Sequence, residues 1–279
     1  MRARRRRRAA ALAVGLALAL PGAALADDAG SVTASGGAVQ ATLSWQAADI
    51  GVKDPRLVVA RAGAPLYDGS PVGDDRCSIG CIFAVGGAVT PLKVVDLDGD
   101  GEPEVVVDAF TGGAHCCSLA EIFRFTGSAY ARLEADWGSN DYTLRDLDGD
   151  GRPELRGYDF AFEDAFTSHA ASFEPPLVLA LDPAARGGFR DVTRRFPAVV
   201  RKNADEALHV LRRARRQHVE TLGIVAAYVA DLYLLGRGRE VRPYLARARK
   251  RGDLRSIAGR APRSYDARLL KFLHKQGYR

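Results

Sequence analysis

Short apolar runs broken by Gly, Asp and Pro fill the chain from residue 38 to residue 192. The runs at 39–47, 56–60, 81–85, 92–95, 104–110, 119–125, 130–135, 142–144 and 177–181 are rich in β-branched, aromatic and leucine residues. Runs this short at this spacing predict an all-β domain over 38–192. From about residue 205 the period changes. Ala207, Leu208 and Leu211 share one helix face, and 241–251 and 265–276 are further helical candidates. Residues 222–235 are apolar nearly all round, which predicts a buried central helix. That stretch is too short for a membrane span, and Asp231 interrupts it. The predicted fold class is α+β and multidomain: a mainly antiparallel β domain, then a small basic α-helical domain of three or four helices over 194–279. The small polar residues 27–37 are expected to be unstructured.

The N-terminus has its own pattern. Arg2 and Arg4 to Arg8 precede an apolar run over 9–20, a Pro21-Gly22 break and Ala24-Leu25-Ala26. This order predicts a signal peptide over 1–26, cleaved near Ala26-Asp27, and hence a secreted or extracytoplasmic protein with no transmembrane segment in the mature chain. No Cys follows the cleavage position, so a lipid anchor is not supported.

Charge then divides the chain. The formal net charge is +6, and six of the 40 basic residues lie in the first 26 residues, which contain no acid. Residues 27–193 carry 12 Lys+Arg against 27 Asp+Glu, and residues 194–279 carry 22 against 7. An acidic half of net −15 is therefore joined to a basic half of net +15, which marks a domain boundary near 193. The dense clusters Arg212-Arg213-Ala214-Arg215-Arg216 and Arg247-Ala248-Arg249-Lys250-Arg251 invite an anionic partner. Export argues against nucleic acid. An extracellular or envelope ligand such as an anionic polymer, or the chain's own acidic half, is the expected partner.

Four cysteines are present: Cys77, Cys81, Cys116 and Cys117. In an oxidising compartment an even number reads as disulfides. The adjacent Cys116 and Cys117 bond each other only with backbone distortion. Two cross-links between the Cys77/Cys81 loop and the Cys116/Cys117 pair are therefore expected, in either pairing. A metal site on these sulfurs and His115 is the weaker alternative.

The strongest chemical signal is a repeat. Asp96-Leu97-Asp98-Gly99-Asp100-Gly101-Glu102-Pro103-Glu104-Val105 returns as Asp146-Leu147-Asp148-Gly149-Asp150-Gly151-Arg152-Pro153-Glu154-Leu155. Asp54-Pro55-Arg56-Leu57-Val58-Val59 is a fainter copy that lacks the acidic loop. A period of about 50 residues suits a four-stranded sheet unit, so two or three such units are expected. Alternating carboxylates on a glycine-rich turn converge and repel one another, and a hard cation relieves that repulsion. Position 12 is Val107 in one loop and Gly157 in the other, which rules out the bidentate Glu of an EF-hand. Position 9 is acidic in both, Glu104 and Glu154. The expected calcium ligands, for two ions, are Asp96, Asp98, Asp100 and Glu104, and Asp146, Asp148, Asp150 and Glu154. The backbone carbonyls of Glu102 and Arg152 are expected to complete the shells.

These loops, each with the Asp-x-Asp-Gly-Asp-Gly-x-Pro-Glu pattern, resemble the calcium loops of FG-GAP (VCBS-type) repeats, as in integrin α-subunit β-propellers and many secreted bacterial proteins. The Glu at position 9 departs mildly from the usual Asp or Asn. The resemblance covers about residues 50–185 and implies propeller-like repeats. Three units are too few to close a ring, because propellers carry about four to eight blades, so a partial propeller-like β domain is expected. The loops, the Gly112–Cys117 segment and the basic helical tail together also resemble uncharacterised secreted actinobacterial proteins.

Catalytic patterns are weak. His115 beside Cys116, and Ser118, Ser168 and His169, lack the separated, oriented partners of a nucleophile–base pair. Trp45, Trp137 and Tyr142 read as core aromatics rather than a sugar platform. Asp108, Asp159, Glu163 and Asp164 could supply an acidic pair only if the fold brought them together. The expected function is a secreted calcium-binding, non-catalytic structural or adhesive module of the cell envelope. The alternative is an exported hydrolase acting on an envelope polymer or ester.

Overall fold

The computed structural model describes residues 29–49, 51–73, 76, 81–83, 90–112 and 117–279. The signal-peptide reading, His115, Cys77 and Cys116 lie outside these residues. Antiparallel sheets and four α-helices make up the fold, an α+β architecture.

The β region holds three antiparallel meanders. In the first, β1 (Gly30–Gly36), β2 (Val39–Ala47), β3 (Val52–Arg61) and β4 (Ala64–Gly69) pair in order. In the second, β5 (Ile82–Phe83) and β6 (Leu92–Val95) both pair along the same side of β7 (Glu104–Phe110), followed by β8 (Ser118–Phe125) and β9 (Tyr130–Asp136). In the third, β10 (Thr143–Arg145), β11 (Glu154–Tyr158), β12 (Pro176–Leu181) and β13 (Phe189–Asp191) pair in order. Among the described residues these sheets close into neither a barrel nor a propeller.

Two expectations are corrected here. Residues 30–36 form a strand, not an unstructured leader. Their backbone pairs from Gly30↔Trp45 to Gly36↔Val39 across a turn in which Gly37 takes φ +54°. Val32 and Ala34 of β1 pack against the same core that buries Val39, Ala41 and Leu43 of β2. The faint repeat copy also fails to match in topology. Asp54-Pro55 lies within β3, whereas Pro103 and Pro153 of the acidic loops precede β7 and β11.

The second sheet is the middle layer. Val105 and Val107 of β7 pack into a core with Leu43, Leu57 and Val59 of the first sheet. Val106, between them, faces the other way, into a core with Leu155 and Leu181 of the third sheet. A strand covered on both faces reads as a continuous apolar run, which is why 105–107 shows no alternation.

The helical half comprises α1 (Pro197–Gln217), α2 (Leu222–Leu234), α3 (Val241–Arg251) and α4 (Tyr265–Lys275), with a small hairpin of β14 (Arg255–Ser256) and β15 (Gly259–Arg260). α2 is buried nearly all round. α1 starts well before residue 205, at Pro197, whose fixed φ suits a first helical turn. Its buried stripe runs Val200, Asn203, Ala204, Ala207, Leu211 and Ala214. Phe162 and Phe166, from the link between β11 and β12, belong to the helical core, so the two halves interlock. Among the described residues no helix is long and apolar enough to cross a membrane.

Candidate metal centres

The first acidic loop links β6 to β7, and the second links β10 to β11. The conformation of each is held by its own carboxylates. Asp96 accepts hydrogen bonds from the Gly99 N–H (2.7 Å) and the Gly101 N–H (3.0 Å). Asp146 accepts from Gly149 (2.6 Å) and Gly151 (2.9 Å). These turns need left-handed backbone at Gly99 (φ +77°) and Gly149 (φ +80°), conformations that glycine adopts without a Cβ penalty.

The acid at position 9 reaches back across the loop. Glu104 Oε2 accepts from the Leu97 N–H at 2.9 Å, and Glu154 Oε2 from the Leu147 N–H at 3.0 Å. The result is two convergent groups, Asp96 with Asp98 and Glu104, and Asp146 with Asp148 and Glu154. In each, one carboxylate oxygen per residue lies within 4.8 Å of the others. That spread fits a cation bound through bonds of roughly 2.3–2.6 Å.

Asp100 and Asp150 lie outside these groups. Asp100 Oδ1 accepts from the Glu102 N–H, and its Oδ2 pairs with Arg124 at 2.8 Å. Asp150 Oδ1 accepts from the Arg152 N–H, and its Oδ2 pairs with the Arg152 guanidinium at 2.6 Å. The Glu102 side chain pairs with Arg61, with Nε–Oε2 at 2.8 Å.

Glu104 is the telling residue. Its side chain is wholly buried, and Oε1 has no hydrogen-bond partner. The nearest cationic atom, Arg124 Nε, stands 3.8 Å away. Burial pushes its carboxyl up to about 8, and the neighbouring Asp98 and Asp100 push the same way, against the Leu97 N–H. A buried, orphaned carboxylate oxygen aimed at two other carboxylates is costly unless something positive meets it. The residues present therefore fit a calcium-type ion at the first loop. The second loop offers the same donor set in a more exposed setting.

Arginines guard both loops, and these the sequence motif did not reveal. Arg124 of β8 binds Asp98 at 3.1 Å and Asp100 at 2.8 Å. Arg195, at the entry to α1, binds Asp148 at 2.6 Å. Arg124 follows the first loop by more than 20 residues, and Arg195 follows the second by more than 40. No local spacing rule links residues so far apart. The loops also meet: a Cβ on Gly99 would stand 2.7 Å from Arg152 Cδ. Asp98 and Asp100 of one loop and Asp150 and Glu154 of the other open on one cleft of about 380 Å³.

The remaining candidates have structural partners. Trp137 and Tyr142 stack at 5.4 Å in the core between the second and third sheets. Trp45 packs beside Phe83 at the first core. Asp108 pairs with Lys93 and Tyr142. Asp159 accepts from the Tyr278 hydroxyl, and Glu163 from Ser139 and Asn140. Asp164 lies 3.5 Å from His169, and the Ser168 hydroxyl donates to Glu220. Ser118 pairs in β8 against Phe110. Cys81 and Cys117 are both disulfide-bonded, and no cysteine is free among the described residues. Any pairing that involves Cys77 or Cys116 lies outside the described residues.

No family model and no solved structure matches the chain. Two curated proteins are similar over parts of it. A probable thylakoid lumen protein of Synechocystis is 31% identical over 156 residues, covering 52% of this chain and 44% of the relative. An uncharacterized protein of Sinorhizobium fredii is 33% identical over 82 residues, covering 29% of this chain and 13% of the relative. The chain thus spans less than half the length of either relative it matches.

Proposed function

We propose that this protein is an exported, calcium-binding, non-catalytic module of the cell envelope, structural or adhesive in role. The observation that carries this reading is the buried Oε1 of Glu104, which has no hydrogen-bond partner, in a carboxylate convergent with Asp96 and Asp98. Calcium tolerates irregular oxygen shells and supplies the charge that three converging carboxylates lack. Asp96, Asp98 and Glu104 hold one ion; Asp146, Asp148 and Glu154 hold the second. Asp100, Asp150 and the carbonyls of Glu102 and Arg152 are the further donors. Each ion joins two paired strands, β6 with β7 or β10 with β11, so its binding energy becomes folding energy.

Three other features support the proposal. The meanders are four strands wide and stack in chain order, as in FG-GAP-type repeats, and we read them as a partial propeller. The relative from Synechocystis is a probable thylakoid lumen protein, in keeping with export directed by residues 1–26. Arg212, Arg213 and Arg216 are exposed and make no ion pair among the described residues, which suits an anionic envelope polymer.

The test is a metal-content measurement on protein purified from the exported fraction, followed by calorimetric titration of calcium into chelator-treated protein. About two bound ions per chain, and a melting temperature that rises with calcium, are the expected results. Protein that contains no calcium, takes none up and melts identically in chelator would sink the reading.

A further inference from the structure

A second pocket lies away from both acidic loops, where the third sheet meets the helical half. It encloses about 300 Å³ between β11, the start of β12 and α1. Tyr158 and Phe173 give it aromatic walls, and Tyr158 is 39% exposed, an unusual position for a large ring. A cavity of this size at a junction between structural units is a common setting for a small ligand.

The floor of this pocket is built. Asn203 is 8% exposed, and its Nδ2 donates to the Glu174 carbonyl (3.2 Å) and to Asp231 Oδ2 (2.9 Å). Both amide hydrogens are thereby used, which leaves Oδ1 as the free acceptor of a residue that lines the pocket. Asp231 is itself wholly buried in the otherwise apolar α2. Burying that carboxyl is costly, and its one visible effect is to hold Asn203.

The walls carry uncommitted charge. Arg156 and Lys202 line the pocket, as do Glu174 and Glu206. Arg156 and Glu174 are half-buried and Lys202 and Glu206 are exposed, and none of these four makes an ion pair among the described residues. Burial, with Glu163 adding to it and His169 pulling the other way, pushes the Glu174 carboxyl up to about 7. Two cations and two anions that share a pocket without pairing suit a ligand that bears both signs.

We propose that this pocket binds a small zwitterion, an amino acid or the end of a short peptide. Its carboxylate faces Arg156 and Lys202, its ammonium faces Glu174 and Glu206, and Asn203 Oδ1 accepts from its N–H. The aromatic walls take its side chain. This site is independent of the calcium reading, because none of its residues belongs to either acidic loop.

The test is calorimetry and saturation-transfer NMR on the full chain, with glycine, L-lysine, L-phenylalanine and trialanine as probes. Acetate, methylamine and glucose are the controls. At least one zwitterion is expected to bind, and capping both ends of trialanine is expected to weaken it by about tenfold or more. Arg156→Ala and Glu174→Gln are expected to weaken the same probe by about tenfold. Lys202→Ala and Glu206→Gln change exposed helix positions, leave the fold intact and are expected to weaken it severalfold. Chelator is expected to leave binding unchanged. Failure of every zwitterion to bind, equal binding of glucose or of the capped peptide, or indifference to all four substitutions would each overturn the proposal.

Discussion

The two acidic loops share their glycines, their internal hydrogen bonds and their back-reaching Glu, yet they sit in different surroundings. The first joins strands of the middle sheet, where Glu104 is wholly buried with one oxygen unpartnered. Its guard, Arg124, comes from the same sheet. The second joins strands of the outer sheet, and its guard, Arg195, comes from the entry to the helical half. Local sequence sets the shape of each loop, whereas layer position sets its electrostatic state. The first loop is therefore the more dependent on a cation. The second is the one linked to the helical half, through the Arg195–Asp148 pair.

Substituting the position-9 acids tests this contrast with the largest expected effect. Glu104→Ala leaves a cavity between two sheets and strips the Leu97 N–H of its acceptor, so about 3 kcal/mol of stability is expected to be lost. Glu154→Ala, nearer the edge, is expected to cost about half as much. Chemical denaturation of both variants checks this, and equal losses would erase the distinction. Chelation comes next. Calcium at about 100 times its Kd contributes about 2.7 kcal/mol per site, so chelator is expected to lower the melting temperature by several degrees. Asp98→Ala is expected to reproduce more of that fall than Asp148→Ala.

A pH scan sharpens the comparison from outside the loops. Burial raises the Asp231 carboxyl from its usual 3.8 to about 8, while the Asn203 amide pulls the other way. Between those values the folded chain holds a proton that the unfolded chain releases. This contribution to stability is complete below 3.8 and fades as pH rises toward 8. Asp231 is expected to contribute a slope of order 1 kcal/mol per pH unit, which Asp231→Asn removes and calcium does not alter, beside slopes of the same sign from the raised Glu104, Glu121 and Glu174 carboxyls. A scan whose slope Asp231→Asn leaves unchanged would assign all of it elsewhere. The smallest effect belongs to the guards. Arg124→Gln and Arg195→Gln are each expected to tighten calcium binding a fewfold by removing a competing cation, by less than about 1 kcal/mol. Only Arg195→Gln is expected to loosen the helical half, as hydrogen exchange along α1 would reveal.

Much of this was legible from the chain alone. The alternating Asp and Gly positions dictate two tight turns with converging carboxylates, because those bonds form within nine residues and glycine alone takes the required backbone without strain. The 3.6-residue period and the all-round apolar stretch dictate α2 and α3, since helices answer to neighbours three and four positions away. Tertiary structure decided the rest. It made a strand of residues 30–36, which pair with β2 and set Val32 and Ala34 against the first core. It moved the start of α1 back to Pro197, and it drew Phe162 and Phe166 from the β region into the helical core. It also set Arg124 and Arg195 on the loops and orphaned Glu104 Oε1. Burial and ion pairing are set by groups distant along the chain and adjacent in space, so no local pattern of residues encodes them.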